Sequence, residues 1–167
     1  MKLHAFSWTL ALALAAAPAF ASVRMNTAQR LLGDMHENAI KATDDASVAA
    51  TFSAADGMDW QGYLPYIQGL KTTINAMGTD YGHLKAMPEM ESPAARQALR
   101  KVGPLLKNVA LQTDQATEFF NSHRDTLWQP QYVNQLKSIA DENARIAALL
   151  QDARELSTIR RHEATLR

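Results

Sequence analysis

The sequence predicts an all-α protein: an antiparallel helical bundle of the up-down four-helix type, with three long helices and a shorter N-terminal one. Two observations carry this. First, apolar residues recur at alternating spacings of three and four along three stretches. They are Trp60, Tyr63, Ile67, Leu70, Ile74, Met77, Tyr81 and Leu84; then Ala95, Leu99, Val102, Leu106, Val109, Ala116 and Phe120; then Tyr132, Leu136, Ile139, Ile146, Leu150 and Ala153. A mean spacing of about 3.5 keeps one seam of each helix against its partners, as in a coiled coil. Second, no segment alternates apolar and polar residues between hairpin-type turns, so nothing reads as strand.

Taken in order, residues 1–21 read as a secretory signal peptide. Lys2 gives a basic start, Ala5 to Ala17 is an uncharged apolar run, and Ala19-Phe20-Ala21 is a small-x-small cleavage site before Ser22. The run is short of the ~20 residues that a membrane span needs. Residues 22–167 then form one domain, long enough for one core. The first helix is expected from about Asn26 to Thr43, with Leu31, Leu32, Met35 and Ala39 on its inner face. Thr43-Asp44-Asp45 reads better as a stop and a new cap than as helix interior, because short polar side chains compete with the helical backbone; the alternative is a helix that continues through Ala46, Ala49 and Ala50. Ala55-Asp56-Gly57 is a turn signal. Asp59 can cap the second helix ahead of Trp60, with Pro65 either kinking it or delaying its regular part to Leu64. Pro88 ends that helix near Met87.

Ser92-Pro93 restarts the chain as a capping hydroxyl followed by proline at the first helical position. The third helix keeps its phase across Gly103-Pro104 and runs towards Leu127. Gln129-Pro130 opens the fourth, which persists to about Arg161. The short links between helices two, three and four make them run up-down-up. Trp60 and Trp128, at the extremes of long seams, belong at bundle ends.

Composition narrows the function classes. The chain has 17 basic and 17 acidic residues and no cysteine. Neutrality gives no electrostatic reason to bind nucleic acid or an anionic membrane. Without cysteine there is no disulfide, lipid-anchor thiol or covalent haem attachment. A locally basic C-terminus (Arg154, Arg160, Arg161, His162, Arg167) is read as cations suited to a helix end.

Candidate sites are few. Thr113 and Asn143 are polar residues on apolar seams; such groups commonly fix register, and the sharper alternative is ligand binding. His123 falls on the third seam near its end. A di-iron bundle requires Glu-x-x-His on two helices, and the nearest approach here is Asp80-Tyr81-Gly82-His83. His36-Glu37 is not followed by the second histidine of a zinc helix, so no metal ligands are assigned. Asn121-Ser122-His123 puts a hydroxyl beside an imidazole, but adjacent helical residues point apart. No Gly-x-Ser-x-Gly elbow or phosphate-cradling glycine loop exists, so no catalytic residue is assigned and no enzyme expected. The paired carboxylates Asp44-Asp45 and Asp141-Glu142 read as solvated surface. Non-covalent haem between a methionine near the start (Met25 or Met35) and His162 near the end is loosely similar to cytochrome b562.

The run Trp60-Gln61 through Ile74-Asn75-Ala76-Met77-Gly78, with Pro104-Leu105-Leu106 and Gln129-Pro130-Gln131-Tyr132, resembles a group of uncharacterised exported helical proteins from bacteria, over about residues 58–157. The resemblance implies an exported bundle, periplasmic or secreted, and carries no activity, cofactor or catalytic residue. The expected function is a non-enzymatic interaction or structural protein of the cell envelope, pairing with a partner or a second copy through an apolar helix face. Second stripes at Leu105, Phe119, Val133, Leu149, Leu156 and Ile159 suggest that face. The alternative is a small-ligand, metal or haem carrier using the bundle core. No cofactor is assigned, and no span is expected to remain after leader cleavage.

Overall fold

The computed structural model describes residues 17–55, 59–87 and 93–165, with side chains described for 27–55, 59–87, 93 and 95–156. Four helices follow in order: α1 (Ala17–Ala54), α2 (Trp60–Ala86), α3 (Pro93–Ser122) and α4 (Pro130–Thr165). Contacts join α1 to α2 and α4, and α3 to α2 and α4. The diagonal pairs, α1 with α3 and α2 with α4, do not approach closely through their backbones among the described residues. The helices therefore form a square antiparallel bundle, each flanked by two neighbours, around one core. The three predicted seams and a stripe of α1 make up that core: Met77, Leu84, Val102, Val109, Leu136, Ile139, Ile146 and Leu150 are fully enclosed.

The caps explain the boundaries. Asp59 is extended (φ −65°, ψ 139°) and its carboxylate accepts from the Gln61 amide at 3.4 Å. Met87 closes α2 by donating its amide to the Leu84 carbonyl at 3.2 Å. Helices α3 and α4 begin on Pro93 and Pro130, where a missing N–H costs nothing. The prolines inside α2 and α3 are exposed, and so are Gln61 and Arg100, whose carbonyls lose a donor. Water can satisfy those carbonyls, so both helices run on through Pro65 and Pro104.

The N-terminal helix departs from expectation. At 38 residues α1 is the longest of the four, and it has no break at Thr43. Ala42, Ala46, Ala49 and Ala50 continue the buried stripe, and that burial overrides the local preference of Asp44-Asp45 for a stop. Thr43 accommodates itself by donating to the Ala39 carbonyl at 2.9 Å. Asp45 is no solvated carboxylate either. It lies half-buried against Gly69 of α2, where an added Cβ would come within 2.5 Å of its Oδ2. Gly103 plays the matching part between α2 and α3, since a Cβ there would overlap the Tyr81 phenol oxygen. The third helix stops at Ser122 rather than near Leu127, because His123 to Gln129 form a turn whose apolar residue, Leu127, folds back into the core.

The leader falls mostly on residues 1–16, outside the described residues, as do the Asp56-Gly57 turn and the Ser92 cap. No helix among the described residues is long and apolar enough to cross a membrane.

Candidate interaction surface

The polar residues singled out on the seams sit in the core. Asn143 is fully buried and donates Nδ2 to the Ile139 carbonyl of its own helix at 2.9 Å, while its Oδ1 has no partner. Thr113 is buried with its hydroxyl unpartnered. No hydrogen bond joins the two. His123 lies just past α3, exposed, and about 15 Å of helical rise from Thr113. Its ring stacks on Phe119 with centroids 4.3 Å apart and planes at 13°. Met35 is fully enclosed by the core; the side chains of Met25 and His162 lie outside the described residues. Among the described residues no group of three or more His, Asp or Glu is placed to hold a metal ion.

Sequence reading missed two polar clusters. On the α3/α4 face, Glu142 accepts from Asn108 Nδ2 at 2.7 and 2.9 Å and from Gln112 Nε2 at 3.2 Å. Gln135 donates across to the Gln112 carbonyl at 3.0 Å. Glu142 is thus an interhelical clamp rather than one of a solvated pair. Its signal in the sequence is weak, because amides outside a seam look like ordinary surface. The second cluster lies where α1 ends and α2 and α4 begin. Tyr63 donates to the Phe52 carbonyl at 2.9 Å. The Ser53 hydroxyl is fully buried close to that phenol, without hydrogen-bond geometry. Tyr132 is fully buried and its hydroxyl has no partner. Burial, and then the nearby Tyr63, push the Tyr132 phenol well above its usual range.

The same end carries the most conspicuous surface. The α3–α4 turn is held by backbone bonds from Thr126 to His123 (2.9 Å) and from Gln129 to Thr126 (3.1 Å), and pinned by Leu127, which is 3% exposed. Its neighbour Trp128 is 58% exposed. At the same end, Arg124 of this turn lies 4.1 Å over the Trp60 ring, and Trp60 packs edge-on against Phe120 at 6.3 Å. The His123–Phe119 stack continues inward to Tyr132 at 4.9 Å. Both predicted bundle-end tryptophans are therefore at one end, where α2 starts and α3 finishes.

The expected apolar second stripes turn out to face inward. Val133 is buried, and Leu105, Phe119 and Leu149 pack half-buried against the core; of the described members only Leu156 is exposed. The other large exposed apolar residues, Ile40 and Leu111, stand singly on α1 and α3, which is ordinary for a surface. Near the tryptophan end, α1 and α4 leave an open groove of about 400 Å³ lined by Ser47, Ala50, Thr51, Ala54, Lys137, Ala140 and Asp141. No family model, curated protein or solved structure matches this chain.

Proposed function

We propose that this is an exported, non-enzymatic interaction protein of the cell envelope, working through the bundle end that carries the α3–α4 turn. The observation that supports it is Trp128. An indole left in water forgoes on the order of 2–3 kcal/mol of burial. Here it is presented by a turn tied down on both sides. An exposed tryptophan on a turn that also carries an arginine has the composition of an interface centre, unlike the lone Ile40, Leu111 and Leu156 elsewhere on the surface. Export rests on the leader pattern of residues 1–21, and cleavage after Ala21 would still leave α1 from Ser22 to Ala54.

A core-carrier reading has one observation in its favour, the unpartnered Thr113 and Asn143 oxygens. Register control accounts for them equally well. A native mass spectrum of the chain recovered from the exported fraction separates the readings. The proposal expects a protein complex, with itself or a partner, and no small-molecule increment. A retained ligand mass on a monomer would move the function into the core. A bare monomer that no crosslinker placed at Trp128 can trap would end the interaction reading.

A further inference from the structure

We infer that the surface docks on a second copy of this chain: two molecules associate about a two-fold axis, the Trp128 turn of each seated in the α1/α4 groove of the other. The inference deepens the interaction reading above and rests on it. Plug and socket belong to the same end of the molecule. Lys137, on the groove rim, is only about 10 Å of helical rise from the start of α4, which the turn immediately precedes. A two-fold axis passing between the two features brings each onto its counterpart. This is the self-complementary contact that closed dimers use.

Size and charge agree. The groove holds about 400 Å³ and, apart from Lys137 and Asp141, is lined by the small side chains of Ser47, Ala50, Thr51, Ala54 and Ala140, so it has room for an indole. Its rim offers one cation and one anion, Lys137 and Asp141. The turn carries one of each as well, exposed Arg124 and Asp125, next to the exposed indole. Opposite pairing is then available on both sides of the axis. Each indole is 58% exposed, so it has only roughly half of the ~150–250 Å² of a buried tryptophan left to cover. Two of them with flanking turn residues make a contact smaller than the ~1,200 Å² of standard specific interfaces. The dimer should accordingly be weak, with a dissociation constant on the order of micromolar, and concentration-dependent.

Sedimentation equilibrium of the exported chain over a wide concentration range tests this. The wild type should shift from monomer to dimer and stop there. Trp128→Ala should weaken association at least about tenfold, and Ala54→Tyr, which fills the groove mouth at an exposed position, should do the same. Leu111→Ala, equally exposed but outside plug and socket, should change nothing. Because a two-fold contact is reciprocal, mixing the Trp128→Ala and Ala54→Tyr chains restores one intact plug and socket. The mixture should therefore associate more tightly than either variant alone. Circular dichroism confirms that the variants remain folded. A wild type that stays monomeric, a dimer indifferent to Trp128→Ala, or a mixture no tighter than its parts would each overturn the inference. A complex with a different protein and no self-association would overturn it too, while leaving the interaction reading standing.

Discussion

The two ends of the bundle are built from different chemistry. Where α1 and α3 finish and α2 and α4 begin, the packing is aromatic: Phe52, Trp60, Tyr63, Tyr66, Phe119, Phe120 and Tyr132 touch in stacked or edge-on pairs. The polar groups buried there are neutral hydroxyls. At the opposite end the core is Leu31, Leu32, Leu84, Ala95 and Leu99, and the polar partners are ionisable: Arg154 reaches His36 at 3.3 Å and Arg30 pairs with Asp34 at 3.0 Å. The contrast teaches that one end is held by shape and the other trimmed by charge. The shaped end also carries the exposed tryptophan.

The largest effects should come from deleting core volume at each end. Phe120→Ala should cost about 4 kcal/mol and Leu84→Ala about 3 kcal/mol, read as lower urea midpoints. Both side chains are 1% exposed or less, so neither site can relax towards solvent. If Leu84→Ala proved the more costly, the aromatic end would not be the principal anchor.

Next come the glycines. Gly103→Ala gains helix propensity of about 1 kcal/mol but drives a methyl into the Tyr81 phenol, for a net loss of roughly 1–2 kcal/mol. Gly78 and Gly82, on the same side of the molecule's sequence as Tyr81 but facing open space, should instead stabilise by about 0.5–1 kcal/mol each when changed to alanine. Thermal melts of the three variants give the sign directly, and a stabilising Gly103→Ala would show that the half-buried Tyr81 ring can swing aside at no cost.

A finer pair of substitutions probes the aromatic end alone. Tyr132→Phe removes a buried hydroxyl that has no partner, and should be neutral or stabilising by about 1 kcal/mol. Tyr63→Phe removes the donor to the Phe52 carbonyl and should cost about 1 kcal/mol. Opposite signs from the same chemical change, in rings that lie close together, would mark which hydroxyl the fold uses. Equal losses would show that the two phenols share one network.

How much of this was legible beforehand depends on the kind of signal. The seams read correctly because Ile67 to Leu84, Leu99 to Phe120 and Leu136 to Leu150 must each face the one shared core along their whole length, and that constraint imprints a period. Pro93 and Pro130 marked helix starts because proline acts through its own backbone. Thr43-Asp44-Asp45 misled because the alanines beyond it are too weakly hydrophobic to announce a buried face; small size, not apolarity, is what α1 contributes there. Gly103 and Gly69 were unreadable, since what they need is an absent methyl opposite Tyr81 or Asp45 on another helix. The same holds for Trp128. Nothing in Leu127-Trp128 says which of the two turns inward, and only the turn geometry decides it.

The smallest effect concerns pH, and it separates the ends by where each responds. At the ionisable end, burial and then the Arg154 cation hold His36 below its ordinary value of 6.5. Arg154 donates to Nδ1, which must keep its lone pair, so the neutral ring is the folded form. The unfolded chain then binds the extra proton first. Stability is complete above about pH 6.5 and falls as the pH drops through the lowered folded value. Asp80 works in the other direction. Burial, and then Asp34 nearby, raise it above its ordinary 3.8, so the folded state gains as that carboxyl protonates and loses as the pH rises through the raised value. At the aromatic end Tyr63 and Tyr132 are both raised, chiefly by burial, so nothing there should change until the pH passes about 10, beyond which stability is lost. Replacing His36 with leucine should abolish the loss just below pH 6.5 and leave the alkaline limb unchanged. Urea midpoints measured across the range would show it. If that substitution also moved the alkaline limb, the two ends would be coupled through the core rather than titrating independently.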